Sequence, residues 1–208
     1  MARTPPVVLE LAECARRVVT DDASAQIDVL SYNVLLPNSE DGWWISKYYN
    51  HSHAPDTRAW PWRRRLLQEQ ILGGTKPTIV CLQEVSPISF DNDFHFMKEA
   101  GYKHELLNKG RMRNATFWDP AHLERISVAC KDRTLICRFA FVGRVSTKFY
   151  VANCHLSAGS QPKRRLTQIH QVTDTIRKKL TKEHSERERS ALSKMRQKKK
   201  KEKRKKGR

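Results

Sequence analysis

Two apolar runs, Ile27-Asp28-Val29-Leu30-Ser31-Tyr32-Asn33-Val34-Leu35 and Ile79-Val80-Cys81-Leu82, bracket a segment from Trp62 to Leu72 in which Leu66, Leu67 and Ile71 fall at helical spacing. Gly73-Gly74 stops that helix, and Pro77 precedes the second run. Strand, helix and strand in this order commit the chain to an α/β body. The pattern continues with a helix around Phe90–Ala100 ended by Gly101, and with strands at Ala115–Trp118, Thr134–Val142 and Lys148–Leu156. Pro162 then opens a helix carrying Leu166, Ile169, Val172, Ile176 and Leu180 on one face.

The flanks differ from this body. Pro6 opens a first helix through Val7, Val8, Leu11, Ala15 and Val18, a lead-in that ends near Thr20-Asp21-Asp22. A polar loop holding Trp43, Trp44, Tyr48, Tyr49, His51 and His53 is long for a connector. Beyond Leu180 the apolar stripe stops, and the tail is either an extended charged helix or disordered. We therefore divide the chain into a lead-in over 1–26, a globular domain over 27–180 and a basic low-complexity tail over 181–208.

The net charge of +18 suggests a polyanion partner until it is divided along the chain. Of the 40 Lys+Arg and 22 Asp+Glu, 17 basic and 4 acidic residues lie between Arg177 and Arg208, so the preceding residues carry only +5. The basicity belongs to the tail and says little about the body. The five Cys form no Cys-x-x-Cys pair, and Cys81, Cys137 and Cys154 sit in strand-like runs, which points to a reducing compartment. No apolar run is long enough to span a bilayer, and Met1–Gln26 lacks the pattern of a secretory signal. The expectation is a soluble protein of the nucleus, nucleolus or cytoplasm, with no membrane partner.

Glu84 follows a strand too apolar for a surface edge, so its carboxylate emerges where α/β sheets bind ligands. A hard cation such as Mg2+ or Mn2+ needs such oxygens to act on a phosphate ester. Asn33 ends the other buried strand, where its amide can orient Glu84 or contact phosphate. Either residue alone is more often a cap or a turn former; the two together, in order, carry more.

The combination of Ser31-Tyr32-Asn33, Trp62-x-x-Arg65, Pro77-Thr78-Ile79-Val80-Cys81-Leu82-Gln83-Glu84-Val85, Asn114-Ala115-Thr116-Phe117-Trp118 and Val151-Ala152-Asn153-Cys154-His155-Leu156 resembles the endonuclease/exonuclease/phosphatase superfamily. Within it the resemblance is to the branch of Ccr4-type deadenylases, nocturnin and Angel-type proteins, and it spans Ile27 to Leu180. It implies the DNase-I-like four-layer α/β sandwich, here about the first half: one mixed sheet with flanking helices, its inner face bare, plus the basic tail. It also implies that Glu84 and Asn33 hold a divalent metal, that His155 hydrogen-bonds the scissile phosphate, and that Arg65 supports the Glu84 strand. Pro162 and Gln168 match the stretch after that histidine.

The departures are equally specific. The superfamily continues with an Asp-x-Asn strand end and closes with an Asp-His pair in acid/base roles; after His155 the sole Asp is Asp174, and the chain has no Asp-His dipeptide. Arg111-Met112-Arg113-Asn114 replaces the Asp-Gly-Cys-Ala pattern of deadenylases, which puts adenine specificity in doubt. Arg111, Arg113 and Asn114 are weaker candidates for substrate phosphate, since paired loop arginines are usually solvated. The expectation is an Mg2+-dependent, exoribonuclease-like phosphodiesterase domain, truncated and inactive as it stands. Two alternatives stand beside it: a non-catalytic RNA- or ribosome-binding protein that uses the tail, and another phosphoesterase of the superfamily. In the tail, Lys198–Lys206 serves as a nuclear address, a solvated spacer or a salt-sensitive RNA contact.

Overall fold

The computed structural model describes residues 26–36, 59–74 and 76–206. The expected lead-in helix and the Trp- and Tyr-rich loop lie outside the described residues. The chain divides into two compact units, residues 1–156 and 157–208.

In the first unit, β1 (Val29–Asn33) leads to α1 (Trp60–Leu72) and β2 (Ile79–Val85). Two short helices, α2 (Phe90–Asp93) and α3 (His95–Glu99), precede β3 (Lys103–Leu106) and β4 (Arg113–Trp118). Three strands close the unit: β5 (Leu123–Lys131), β6 (Thr134–Phe141) and β7 (Arg144–Cys154). A four-stranded mixed sheet has the order β1-β2-β4-β3, and a three-stranded antiparallel sheet has the order β5-β6-β7.

The pleat of β2 explains its unbroken apolar character. Val80 and Leu82 face a core shared with Leu67 and Ile71 of α1 and with Phe90, Phe94, Phe96, Met97 and Phe117. Ile79 and Cys81, on the opposite face, pack with Trp118 against Leu123, Leu135, Cys137 and Phe139 of the second sheet. Successive side chains of a strand point to opposite faces, so a strand buried on both must be apolar throughout.

The second core corrects the expectation of one mixed sheet with a bare inner face. The α/β class and the DNase-I-like layering hold, but β5–β7 form their own sheet and cover the inner face of the first. β3 and β5 were absent from the sequence reading. β3 is a four-residue edge strand of Lys103-His104-Glu105-Leu106, and in β5 a register shift between Arg125 and Ser127 breaks the apolar alternation, so neither carries a clear strand period. The helix expected around Phe90–Ala100 breaks at Phe94, whose φ of −116° is not helical.

The second unit is dominated by α4 (Pro162–Lys206). Its start is tied by the Ser157 N–H donating to Gln168 Oε1 at 3.0 Å, while Arg165 Nη1 donates to the Gly159 carbonyl at 2.6 Å. Farther along, Lys182–Glu186 and His184–Glu188 pair one turn apart, at 3.8 and 3.5 Å. Of the two possibilities for the tail, the structure shows the charged helix through Lys206. Among the described residues no helix is long and apolar enough to cross a membrane.

Candidate phosphoester site

β1 runs parallel to β2 in a register that sets Asn33 beside Gln83, one residue before Glu84. β2 pairs with β4 normally as far as Leu82 opposite Ala115, and pairing resumes with Val85 opposite Arg113. Gln83 and Glu84 therefore bulge opposite the single residue Asn114. Glu84 itself takes a left-handed φ of 61°, a conformation that costs a residue with a Cβ roughly 1–2 kcal/mol. The bulge breaks the strand's alternation at Glu84.

Two donors converge on one oxygen of that carboxylate. Asn33 Nδ2 donates to Glu84 Oε1 at 3.0 Å, and His155 Nε2 lies 3.2 Å from the same atom. The side chains of His155 and Glu84 are 17% and 16% exposed, so the pair is open to a ligand yet screened from bulk water. The hydrogen bond from His155 is the main influence holding the Glu84 carboxyl below its ordinary range; burial opposes it, and Asn33 and the charges of His155 and Arg133 reinforce it. Glu84 is thus an anion at neutral pH. Its Oε2 accepts no hydrogen bond from the described residues.

The loop after β1 is held in place for this purpose. Asn33 Oδ1 accepts the Leu35 N–H at 2.9 Å, and the Val34 N–H donates to the Gln83 carbonyl at 3.0 Å. Leu35 and Leu36 both have positive φ, 57° and 34°. Arg63 of α1 donates through Nη2 to the carbonyls of Val34 and Leu35. Arg65 does not take this role: it pairs with Glu69 at 3.6 Å on the exposed face of α1 and lies over the Trp62 ring. Helical periodicity turns Arg63 toward the sheet and leaves Arg65 toward solvent, so the working arginine stands two positions earlier than the sequence reading placed it.

Beneath the site, a buried polar network joins the two sheets. Asn153 of β7 is 2% exposed; its Nδ2 donates to the carbonyls of Leu82 and Ala115 at 3.0 and 2.9 Å, and its Oδ1 accepts from Gln83 Nε2 at 2.9 Å. Asn114, 1% exposed, spends its Nδ2 on the carbonyls of Asn153 and Arg133, both at 2.8 Å. The His155 N–H donates to that same Arg133 carbonyl at 3.0 Å. Buried amides without partners would cost several kcal/mol; satisfied, they fix the height of His155 against Glu84.

Asn33, Glu84 and His155 thus come together as the sequence suggested, while the other candidates scatter. The Asn114 amide is committed inward. Arg113 Nε donates to the Gly110 carbonyl at 2.9 Å, and Arg111 is exposed on the same loop. Asn153, Gln83 and Arg63 were missed as site residues, although polar residues inside apolar strands are a legible signal for the first two. Arg133, in a two-residue turn, gives none.

For a divalent cation the donor set is minimal but suitable. Among the described residues, no group of three or more His, Cys, Asp or Glu gathers. Mg2+ is commonly held by one or two carboxylates together with water and substrate phosphate, and the free Glu84 oxygen supplies one such ligand. Cys81 and Cys137 do not compete, since burial pushes their thiols up to about 12.

No family model matches the sequence, and no curated protein matches it. Solved structures share the fold. Angel2, a 2',3'-cyclic phosphatase seen in complex with adenosine-2',3'-vanadate, is 18% identical with a TM-score of 0.54, over 63% of this chain and 41% of that one. The catalytic domain of human Nocturnin, with bound sulfate, is 20% identical with a TM-score of 0.54, over 77% of this chain and 62% of that one. TDP2 from C. elegans is 17% identical with a TM-score of 0.52, over 75% and 44%. The three relatives are members of the endonuclease/exonuclease/phosphatase superfamily. This chain has their DNase-I-like fold and spans between 41 and 62% of their length.

Proposed function

We propose that Asn33, Glu84 and His155 form the metal- and phosphate-binding part of a phosphodiesterase site that acts on RNA in an exoribonuclease-like manner, with Mg2+ or Mn2+ as cofactor. One observation carries the reading: an anionic glutamate on a bulge, with two nitrogen donors on one oxygen and the other oxygen unbonded among the described residues. A purely structural carboxylate would have both oxygens satisfied. When bound, the cation supplies Lewis-acid stabilisation to a phosphoryl oxygen. Glu84 would hold it, Asn33 fixes the carboxylate's rotation, and His155, bonded to Glu84 through Nε2, stands beside the space where phosphate charge develops. Arg113, paired opposite Val85 at the end of the bulge, and Arg111 on the loop before it are the weaker candidates for phosphate contacts.

RNA is favoured over DNA because the Angel2 ligand, adenosine-2',3'-vanadate, is joined through a ribose 2'-oxygen that only RNA has. The 208 residues alone are expected to turn over slowly. Among the described residues Glu84 is the carboxylate at the site, and the sequence after His155 has no Asp-x-Asn or Asp-His pair to activate a nucleophile or assist a leaving group.

A second reading rests on α4, whose continuous helix through Lys206 carries most of the net charge: a non-catalytic RNA or ribosome binder working through its tail. Binding of an RNA oligonucleotide, measured in Mg2+ and in EDTA at matched ionic strength, separates the two. The site reading predicts a metal-dependent gain in affinity that Glu84→Ala abolishes. The tail reading predicts no such gain, and a loss when Lys198, Lys199, Lys200 and Lys201 are replaced by Gln. A panel adding DNA and small phosphoesters tests the substrate class, and efficient Mg2+-dependent hydrolysis abolished by Glu84→Ala would refute the expected slow turnover.

A further inference from the structure

We propose that Arg133, in the turn between β5 and β6, is a phosphate-binding arm of the Glu84–His155 site, contacting a non-bridging oxygen of the substrate's phosphate. The inference rests on the phosphodiesterase reading and adds a residue to it. The turn is a two-residue one, Asp132-Arg133, closed by the pairing of Lys131 with Thr134, and Asp132 takes a left-handed φ of 48°.

The Arg133 carbonyl is fixed from two sides by residues that build the site: the His155 N–H at 3.0 Å and Asn114 Nδ2 at 2.8 Å. The backbone of Arg133 is therefore anchored directly to the residue that faces Glu84. Its side chain is exposed, and its guanidinium makes no hydrogen bond to any described residue. The Arg133 charge also helps to hold Glu84 ionised, which places it within electrostatic reach of that carboxylate. An arginine tethered by its main chain to an active-site histidine, its guanidinium unbonded among the described residues, has the planar fork that binds phosphate oxygens. A lone surface arginine would lack this tether.

The test uses the full chain and two probes, inorganic phosphate and Mn2+, each alone. Phosphate binding is read by NMR at the His155 amide, which is bonded to the Arg133 carbonyl, so lysines of the tail do not register. Arg133→Ala should weaken phosphate binding there by about tenfold, as expected for one charge-assisted contact. Arg133→Lys, which keeps the charge and loses the fork, should recover part of the loss. Mn2+ affinity should stay the same or rise slightly, since a cation beside Glu84 has been removed. Unchanged phosphate affinity in Arg133→Ala overturns the proposal, as does a shifted His155 amide in the unliganded variant, which would assign Arg133 a structural role. If Mn2+ fails to bind the wild-type chain at Glu84 while Arg133→Ala still loses phosphate, the anion contact stands and the metal reading falls.

Discussion

Replacing Asn153 by Leu tests whether the network under the site holds the two sheets in register. The substitution removes two hydrogen bonds to buried main-chain carbonyls, at 3.0 Å to Leu82 and 2.9 Å to Ala115, and leaves Gln83 Nε2 without its partner at 2.9 Å. Each buried group stripped of a partner costs about 1–3 kcal/mol. Gln83 Nε2 keeps Ser31 Oγ at 3.2 Å and the Cys81 carbonyl at 3.1 Å, so its share falls at the low end. The gain in apolar burial from Leu offsets roughly 1–2 kcal/mol, leaving a net loss of about 1–6 kcal/mol with a midpoint near 3–4 kcal/mol. At 2–4 °C per kcal/mol for a chain of this size, the melting temperature should fall by roughly 5–15 °C. Thermal unfolding followed by circular dichroism measures it, with Thr116→Val as control, since that hydroxyl lies 3.4 Å from Asn153 Nδ2 and contributes little. A loss below about 1 kcal/mol for Asn153→Leu would refute the view that this amide joins the sheets.

Arg63→Ala should release the loop after β1 by removing donors to the carbonyls of Val34 and Leu35; faster hydrogen exchange at the Leu35 amide is the readout, and Arg65→Ala should leave it unchanged. Glu84 ionises below its ordinary 4.5, so its contribution to stability is present above the unfolded value and is lost as pH falls from about 4.5 through the lower folded value. Glu84→Gln should remove that part of the acid dependence in unfolding titrations. Native protein should leave Cys81 and Cys137 unlabelled by iodoacetamide at pH 8, because burial pushes both thiols up to about 12 and the thiolate is the reactive form.

The legibility of the chain in sequence followed its physics. β2 was readable because a strand buried on both faces must be apolar along its length, and the triad was readable because Asn33, Glu84 and His155 each stand at a strand end. β5 was not, because Glu124, Arg125, Ser127 and Lys131 interrupt its apolar residues and a register shift between Arg125 and Ser127 breaks the two-residue alternation. The covering of the inner face by β5–β7 was also hidden, since strand patterns show which faces are apolar but not which sheet each strand joins. Arg63 and Arg65 are indistinguishable as letters in Trp60-Pro61-Trp62-Arg63-Arg64-Arg65; the helix phase that separates them depends on where α1 starts, and boundaries are the weakest part of any pattern. Arg133 owes its position to main-chain hydrogen bonds, which leave no trace in residue type.

The central claim is that Glu84 is a cation ligand flanked by Asn33 and His155. Titrating Mn2+ into 15N-labelled protein and following paramagnetic broadening addresses it directly. Selective broadening is expected at the amides of Asn33, Glu84, Val85 and His155, abolished in Glu84→Ala. Broadening that leaves these residues untouched, or that persists there without the Glu84 carboxylate, would contradict it.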